Sequence, residues 1–259
     1  MSEQTALSQI IEGVLADVQD RQVPINEIKA RLSTAPKLRG AKAALSKSGT
    51  RLIAEIKRSS PSKGDLSQID DPALLAKAYE NGGADLISVL TEARRFKGSI
   101  SDFIAVREAV DLPILRKDFI VTEFQVYESR MLGADLILLI VAALSPSQLK
   151  DFYQLSTELG MDVLVEVHDE DEAQRAIDLK AQIIGVNSRN LKSLEVSDLN
   201  FERILPLLPK DVIKVAESGI STRKQVEFVE KLGANAILVG ECLVKSANPQ
   251  ALITELLNR

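Results

Sequence analysis

The chain holds one cysteine, Cys242, and one histidine, His168, in 259 residues. A disulfide framework is therefore excluded, and one thiol with one imidazole cannot build a zinc cage or an iron–sulfur site. There is no basic excess: 32 Lys and Arg against 37 Asp and Glu leave a net charge of -5, which argues against a non-specific grip on nucleic acid or an anionic membrane. Long apolar runs are missing as well. The longest clean one, Leu136 to Leu144, is far short of the roughly 20 residues a membrane span needs. Met1 to Leu15 carries Glu3 and Glu12 and no basic region ahead of an apolar stretch, so it reads as a helix opening and not a signal peptide. A soluble, cytoplasmic protein is expected, with its chemistry drawn from Lys, Arg, Glu, Asp, Asn and Ser.

A chain of this length suits one large domain or two small ones and can bury roughly three quarters of its unfolded surface. One short phrase recurs: Gly83-Ala84-Asp85, Gly133-Ala134-Asp135 and Gly233-Ala234-Asn235, each followed by a run rich in Leu, Ile and Val. The glycine fits the left-handed end of an amphipathic helix, and the run after it fits a strand buried on both faces. Scanning for such runs gives eight strands: Leu52 to Lys57, Leu86 to Leu90, Pro113 to Lys117, Leu136 to Val141, Val163 to Val167, Ile183 to Asn187, Val212 to Glu217 and Ala236 to Val239. Helical periodicity lies between them, as in Ala73 to Glu80, Glu123 to Met131, Pro146 to Leu159, Asp169 to Leu179 and Thr222 to Leu232. Eight strands alternating with helices is the count of a (β/α)8 TIM barrel, expected over residues 49–259. Residues 1–48 read as an N-terminal helical extension, Thr5 to Asp20 and Pro24 to Leu32 followed by an Ala/Lys-rich stretch. It either caps the barrel floor or covers its mouth.

Charges inside buried strands need an explanation, because burying one unpaired is costly. Two-residue alternation places Ile53, Glu55 and Lys57 on one face of the first strand, Leu115 and Lys117 on the third, Leu164 and Glu166 on the fifth, Gly185 and Asn187 on the sixth with Arg189 beyond, and Val215 and Glu217 on the seventh. Each could be a rim residue in a structural ion pair. Five strands turning polar at their C-terminal ends, where barrel active sites are built, favour one shared cavity. Carboxylates Glu55, Glu166 and Glu217 against cations Lys57, Lys117 and Arg189 nearly balance, and such a group can shift its pKa values for acid–base work. Ser218-Gly219-Ile220 and Gly240-Glu241 follow the last two strands, the usual phosphate position in barrels, with a short helix beginning near Glu241. His168, one residue past the fifth strand, reads as a loop residue.

The segment Ile53-Ala54-Glu55-Ile56-Lys57-Arg58-Ser59-Ser60-Pro61-Ser62-Lys63-Gly64 resembles the signature of the indole-3-glycerol phosphate synthase family. So do Leu115-Arg116-Lys117-Asp118-Phe119-Ile120, Leu164-Val165-Glu166-Val167-His168, Ile184-Gly185-Val186-Asn187-Ser188-Arg189-Asn190-Leu191 and Ala216-Glu217-Ser218-Gly219-Ile220, in the family's order at matching strand ends. Departures are small: Glu241 and Cys242 follow Gly240 where some members have Ser, and Ala93 replaces a proline often seen after the second strand. The resemblance implies ring closure of 1-(2-carboxyphenylamino)-1-deoxyribulose 5-phosphate to an indole, with loss of carbon dioxide and water and no external cofactor or metal. It implies Lys117 as the acid on the ketone, with a pKa expected to fall through desolvation and the neighbouring Lys57 unless Glu55 counters them. Glu166 would be the base or the stabiliser of the ring nitrogen, and Glu55 and Asn187 would orient Lys117 and the diol. Lys57 would hold the phosphate or act as the acid in dehydration. Arg189 and Ser60 would bind the substrate carboxylate, and Phe96, Phe119 and Leu138 the ring. Ser218, Gly219, Gly240 and Glu241 would surround the phosphate, with Glu217 supporting that loop and the sugar hydroxyls.

Two rivals remain at this point. Lys57 or Lys117 could form a Schiff base, as in aldolase-like chemistry. Alternatively, the barrel could bind a phosphate ligand without turnover. The partner expected under the first reading is a phosphorylated small molecule, with neither nucleic acid nor membrane involved and the chain a monomer or weak oligomer.

Overall fold

The structure, a computed structural model, describes residues 5–189 and 195–259. Asn190 and Leu191 of the sixth-strand sequence block lie outside the described residues. Among the described residues, eight parallel strands form the barrel: β1 (Arg51–Ile56), β2 (Leu86–Leu90), β3 (Ile114–Lys117), β4 (Leu136–Ile140), β5 (Asp162–Val167), β6 (Ile183–Asn187), β7 (Ile213–Glu217) and β8 (Ala236–Val239). Each pairs with its chain neighbours, and β8 pairs with β1 from Arg51 opposite Ala236 to Ala54 opposite Val239, closing the ring. Closure removes the exposed sheet edges that an open sheet would have to protect. The expected strands are recovered with no end off by more than one residue, and Leu86–Leu90, Ile183–Asn187 and Ala236–Val239 coincide. Pro113, which has no N–H to give, falls before β3, and Val141 begins a turn of 3-10 helix after β4.

The repeated phrase has a physical basis at the barrel floor. Gly83, Gly133 and Gly233 adopt φ of +94°, +84° and +94°, left-handed values that favour a residue without a Cβ. The acid or amide two residues later then accepts from the backbone N–H of the neighbouring strand: Asp85 from Leu52 at 3.0 Å, Asp135 from Ile114 at 2.8 Å and Asn235 from Lys214 at 2.8 Å. The phrase ends one helix and satisfies a buried amide that opens an adjacent strand, the kind of group that is costly to leave unpaired.

The N-terminal extension lies at both ends of the barrel. The helix Ala6–Arg21 crosses the mouth, and its Leu7 and Ile10 reach the cavity there. It is held by Arg94 on Asp17 at 2.7 Å and by Arg21 on Glu128 at 2.9 Å. Glu128 is shared at 2.8 Å with Arg116, a fully buried outward-facing side chain of β3. The chain then runs beneath the barrel, where the backbone amides of Arg39 and Lys42 donate to Asp135 and Asp162. Ala41 and Leu45, in the short helix Ala41–Leu45, are buried against the floor.

Candidate active site

Strand alternation sends the inward side chains of the barrel into layers. The lower layer is apolar: Ile53, Leu115, Leu164 and Val215 are fully buried. Above it, at the C-terminal strand ends, Glu55, Lys57, Lys117, Glu166, Asn187 and Glu217 line one cavity of about 410 Å³. Arg189, Ser60, Phe96, Phe119, Leu138, Ser218, Gly219, Gly240 and Glu241 line the same cavity, so the sequence-derived candidates converge on one space.

Lys117 occupies the centre of the charge cluster. Its Nζ is 3.2 Å from Glu166 Oε2 and 3.5 Å from Glu217 Oε2. Lys57 Nζ is 2.6 Å from Glu55 Oε1. These distances correct the expected pKa of Lys117. Burial does oppose its charge, but Glu166, Glu217 and Glu55 outweigh burial and hold the ammonium well above the usual lysine value. Lys117 is therefore a fixed cation, poised to donate a hydrogen bond and to polarise, and not a lysine that sheds its proton near neutrality. A Schiff base needs a neutral amine, so this environment disfavours one at Lys117.

The two buried carboxylates beside Lys117 are pushed apart. Burial raises both, but Lys117 and His168 bring Glu166 well below the usual glutamate range. Glu217, buried and facing the Glu166 charge, is pushed up to about 8 despite Lys117. Near neutrality the pair holds one negative charge and one proton, the division that acid–base chemistry uses.

Phe96 and Phe119 form the ring-sized wall, with centroids 6.1 Å apart and planes tilted by 39°. The loop bearing Phe96 is tied by the buried Glu92 carboxylate, which accepts from the backbone N–H groups of Arg94, Arg95 and Phe96. Arg189 is joined to the loop after β1 by donating to Ser62 Oγ at 2.8 Å, and its backbone N–H donates to Asn187 Oδ1 at 2.9 Å.

The glycine loops stand across the ring from β3. Ser218 has φ of +69°, a left-handed value that costs a non-glycine residue about 1 kcal/mol. The Ser188 hydroxyl, donating to the Ser218 carbonyl at 3.1 Å, supports it. Gly240 precedes the short helix Glu241–Lys245, and Glu241 pairs with Lys245 at 2.8 Å and approaches Lys63 at 3.9 Å.

Several cavity residues escaped the sequence reading. Leu7, Ile10, Ser62 and Lys245 also line the space, but no strand alternation marks them. Leu90, Ile140 and Leu238 follow the same inward parity as their charged neighbours, a signal that was available. His168 is more than a loop residue: its side chain is 9% exposed and its Nε2 is 3.2 Å from Glu166 Oε1.

A closed parallel barrel with paired lysines and carboxylates lining a cavity at its C-terminal mouth has the architecture of a (β/α)8 enzyme. Solved barrels share the fold alone: 3-hexulose-6-phosphate synthase from Salmonella typhimurium superposes with a TM-score of 0.66 at 14% identity, covering 81% of this chain and 97% of that one. Sequence comparison is more specific. The indole-3-glycerol phosphate synthase family matches residues 7–256. Proteins named indole-3-glycerol phosphate synthase from Streptomyces griseus and Mycolicibacterium gilvum are 51% and 52% identical, covering 97% and 99% of this chain and 94% and 95% of theirs. The chain belongs to the indole-3-glycerol phosphate synthase family.

Proposed function

We propose that the protein closes the indole ring of 1-(2-carboxyphenylamino)-1-deoxyribulose 5-phosphate, releasing carbon dioxide and water and yielding indole-3-glycerol phosphate for tryptophan biosynthesis. The observation that carries this reading is the Lys117 ammonium set between Glu166 and Glu217, with an aromatic wall on one side and the glycine loops on the other.

In the first step the ring carbon bearing the carboxylate attacks the ketone. Lys117 donates a hydrogen bond to the ketone oxygen and stabilises its developing negative charge, while the aromatic ring packs against Phe96, Phe119 and Leu138. Arg189 and Ser60 hold the carboxylate until the C–C bond to carbon dioxide breaks and its electron pair restores the ring. The ketone oxygen takes up a proton to become a hydroxyl, and Glu166, kept ionised, supports the positive charge on the ring nitrogen as that hydroxyl, protonated by Glu217, departs as water. Loss of a proton from the adjacent CH2 to Glu166 completes the indole, and the nitrogen keeps its own N–H.

Glu217 carries a proton up to about pH 8, so it can donate to a substrate hydroxyl. Glu55 orients Lys57, and Asn187 orients the diol. The Lys57 charge is felt, with that of Lys63, at Glu241, whose carboxyl is held low mainly by Lys245, and this supports a role for Lys57 at the phosphate end. Ser218, Gly219 and Gly240 surround the phosphate there with backbone N–H groups. The test is direct: purified protein given this substrate should generate indole fluorescence without added metal or nucleotide, and a folded preparation that makes no product rejects the reading.

A further inference from the structure

Glu166 and Glu217 are both buried carboxylates beside one ammonium, and Lys117 favours Glu166, donating to it at 3.2 Å while standing 3.5 Å from Glu217. A second asymmetry lies behind Glu166. His168 continues the alternation of β5 two residues past Glu166, and its imidazole is wedged between two acids: Nε2 lies 3.2 Å from Glu166 Oε1, and Nδ1 lies 3.0 Å from Glu172 Oε2. The Nε2 contact is an ion pair set off the N–H direction and not an aligned hydrogen bond. Glu172, on the helix Glu170–Asp178, also accepts the His168 backbone N–H at 2.8 Å, and the Asn200 amide donates to the His168 carbonyl at 3.3 Å. The His168 backbone is thus held by the helices Glu170–Asp178 and Leu199–Ile204, and its imidazole by Glu172. Glu166 in turn divides its oxygens, Oε1 toward His168 and Oε2 toward Lys117.

We propose that His168, anchored by Glu172, is a positioning residue that occupies one oxygen of Glu166, keeps that carboxylate ionised and leaves its other oxygen turned to Lys117 and the substrate. The proposal rests on the ring-closure reading for its kinetic consequence, but not for its electrostatic one. Burial works against a charged imidazole here, yet the two carboxylates prevail and push His168 up to about 10. The charged groups facing it are Glu166 from β5 and Glu172 from the following helix, while Glu166 is faced by Lys117 from β3 and Glu217 from β7. Without the imidazolium, Glu166 loses a neighbouring cation and competes with Glu217 for the shared proton, so its pKa must rise.

The experiment compares wild type, His168→Leu and His168→Gln in kcat and KM across pH, together with carboxyl titrations of ¹³C-labelled glutamate by NMR. Leu removes both charge and donor, whereas Gln keeps a donor near the Nε2 position. For His168→Leu, kcat should fall about 10- to 100-fold near pH 6, less than for loss of an acid or base itself, with KM within about threefold. The acid limb of kcat should move up to about pH 7 or above, since a tenfold loss at pH 6 needs Glu166 mostly protonated there. His168→Gln should lie between the two in kcat while keeping the displaced limb. An unmoved acid limb with kcat within about twofold of wild type overturns the proposal, even if melting temperature drops. So does a rise in KM alone. Should His168→Leu not fold, the limb of His168→Gln decides by the same criterion. If wild type makes no indole product, the ring-closure reading fails by itself, and an unchanged Glu166 titration in the variants overturns the positioning role separately.

Discussion

Gly185 on β6 leaves empty the space into which the Glu217 carboxylate of β7 folds: a Cβ at Gly185 would collide with Glu217 Oε1 and stand 3.1 Å from Glu217 Cδ. Gly185 is level with Glu166 on β5, so the missing side chain lets Glu217 lean across β6 toward Glu166 and Lys117. The carboxylate pair depends on a glycine that has no polar side chain of its own.

Gly185→Ala should therefore act through Glu217. Adding one methyl to a packed interior costs about 1–3 kcal/mol. We expect a folded protein with a lower melting temperature and kcat reduced at least tenfold, since Glu217 is driven from its partners. Wild-type kcat in Gly185→Ala would show that the position of Glu217 does not matter to turnover.

Lys117→Met should retain the fold and lose roughly 10²- to 10³-fold in kcat, the usual cost of removing a fixed donor that stabilises a developing oxyanion. Steady-state kinetics with circular dichroism as the folding control provide the check. Turnover near wild type would move ketone polarisation to another group.

Glu217 should leave a mark on stability as well. Its proton is held up to about pH 8 in the folded state, against an ordinary glutamate value of 4.5. The folded state binds the extra proton between those limits, so the stability linked to it is present at low pH and lost as pH rises toward 8. Glu217→Gln cannot lose a proton. The melting temperature of the variant relative to wild type should rise between pH 5 and pH 9, and a difference that is flat with pH would contradict the shift.

At the floor, Asp135 accepts from the backbone amides of Arg39 and Ile114 and pairs with the buried Arg107 at 2.5 Å. Asp135→Ala leaves that guanidinium and two amides without their acceptor, a change worth about 3–5 kcal/mol by analogy with broken buried ion pairs. Denaturant unfolding should show it. Activity of the folded fraction at low temperature should stay close to wild type, because Asp135 lies at the opposite end of the barrel from the cavity.

Much of this was legible in the chain because a parallel barrel leaves two plain traces. Its strands are short apolar runs, and period-two alternation carries the inward parity of Ile53 through Glu55 to Lys57 and of Leu164 to Glu166. The loops after β7 and β8 that line the cavity are marked by Gly219 and Gly240. What alternation does not encode is reach across the ring. Desolvation and a neighbouring Lys57 point to a lowered pKa for Lys117, and burial does act that way, but Lys57 is tied to Glu55 and three carboxylates around Lys117 outweigh it. The pattern of the N-terminal extension does not choose between floor and mouth, because apolar side chains such as Leu7 and Ile10 look the same against either surface. The position of His168 does carry a signal: it is two residues from Glu166, on the same parity, and four from Glu172.

In the proposed reaction Lys117 and Glu166 act together in decarboxylative ring closure. The decisive experiment is single-turnover measurement of indole fluorescence and carbon dioxide release on wild type and Lys117→Met with the anilino-ribulose phosphate. Wild type should give equal yields of indole and carbon dioxide, and the variant should slow both by about 10²-fold or more. Carbon dioxide or indole formed at the wild-type rate without Lys117, or no indole from folded wild type, would overturn the joint role.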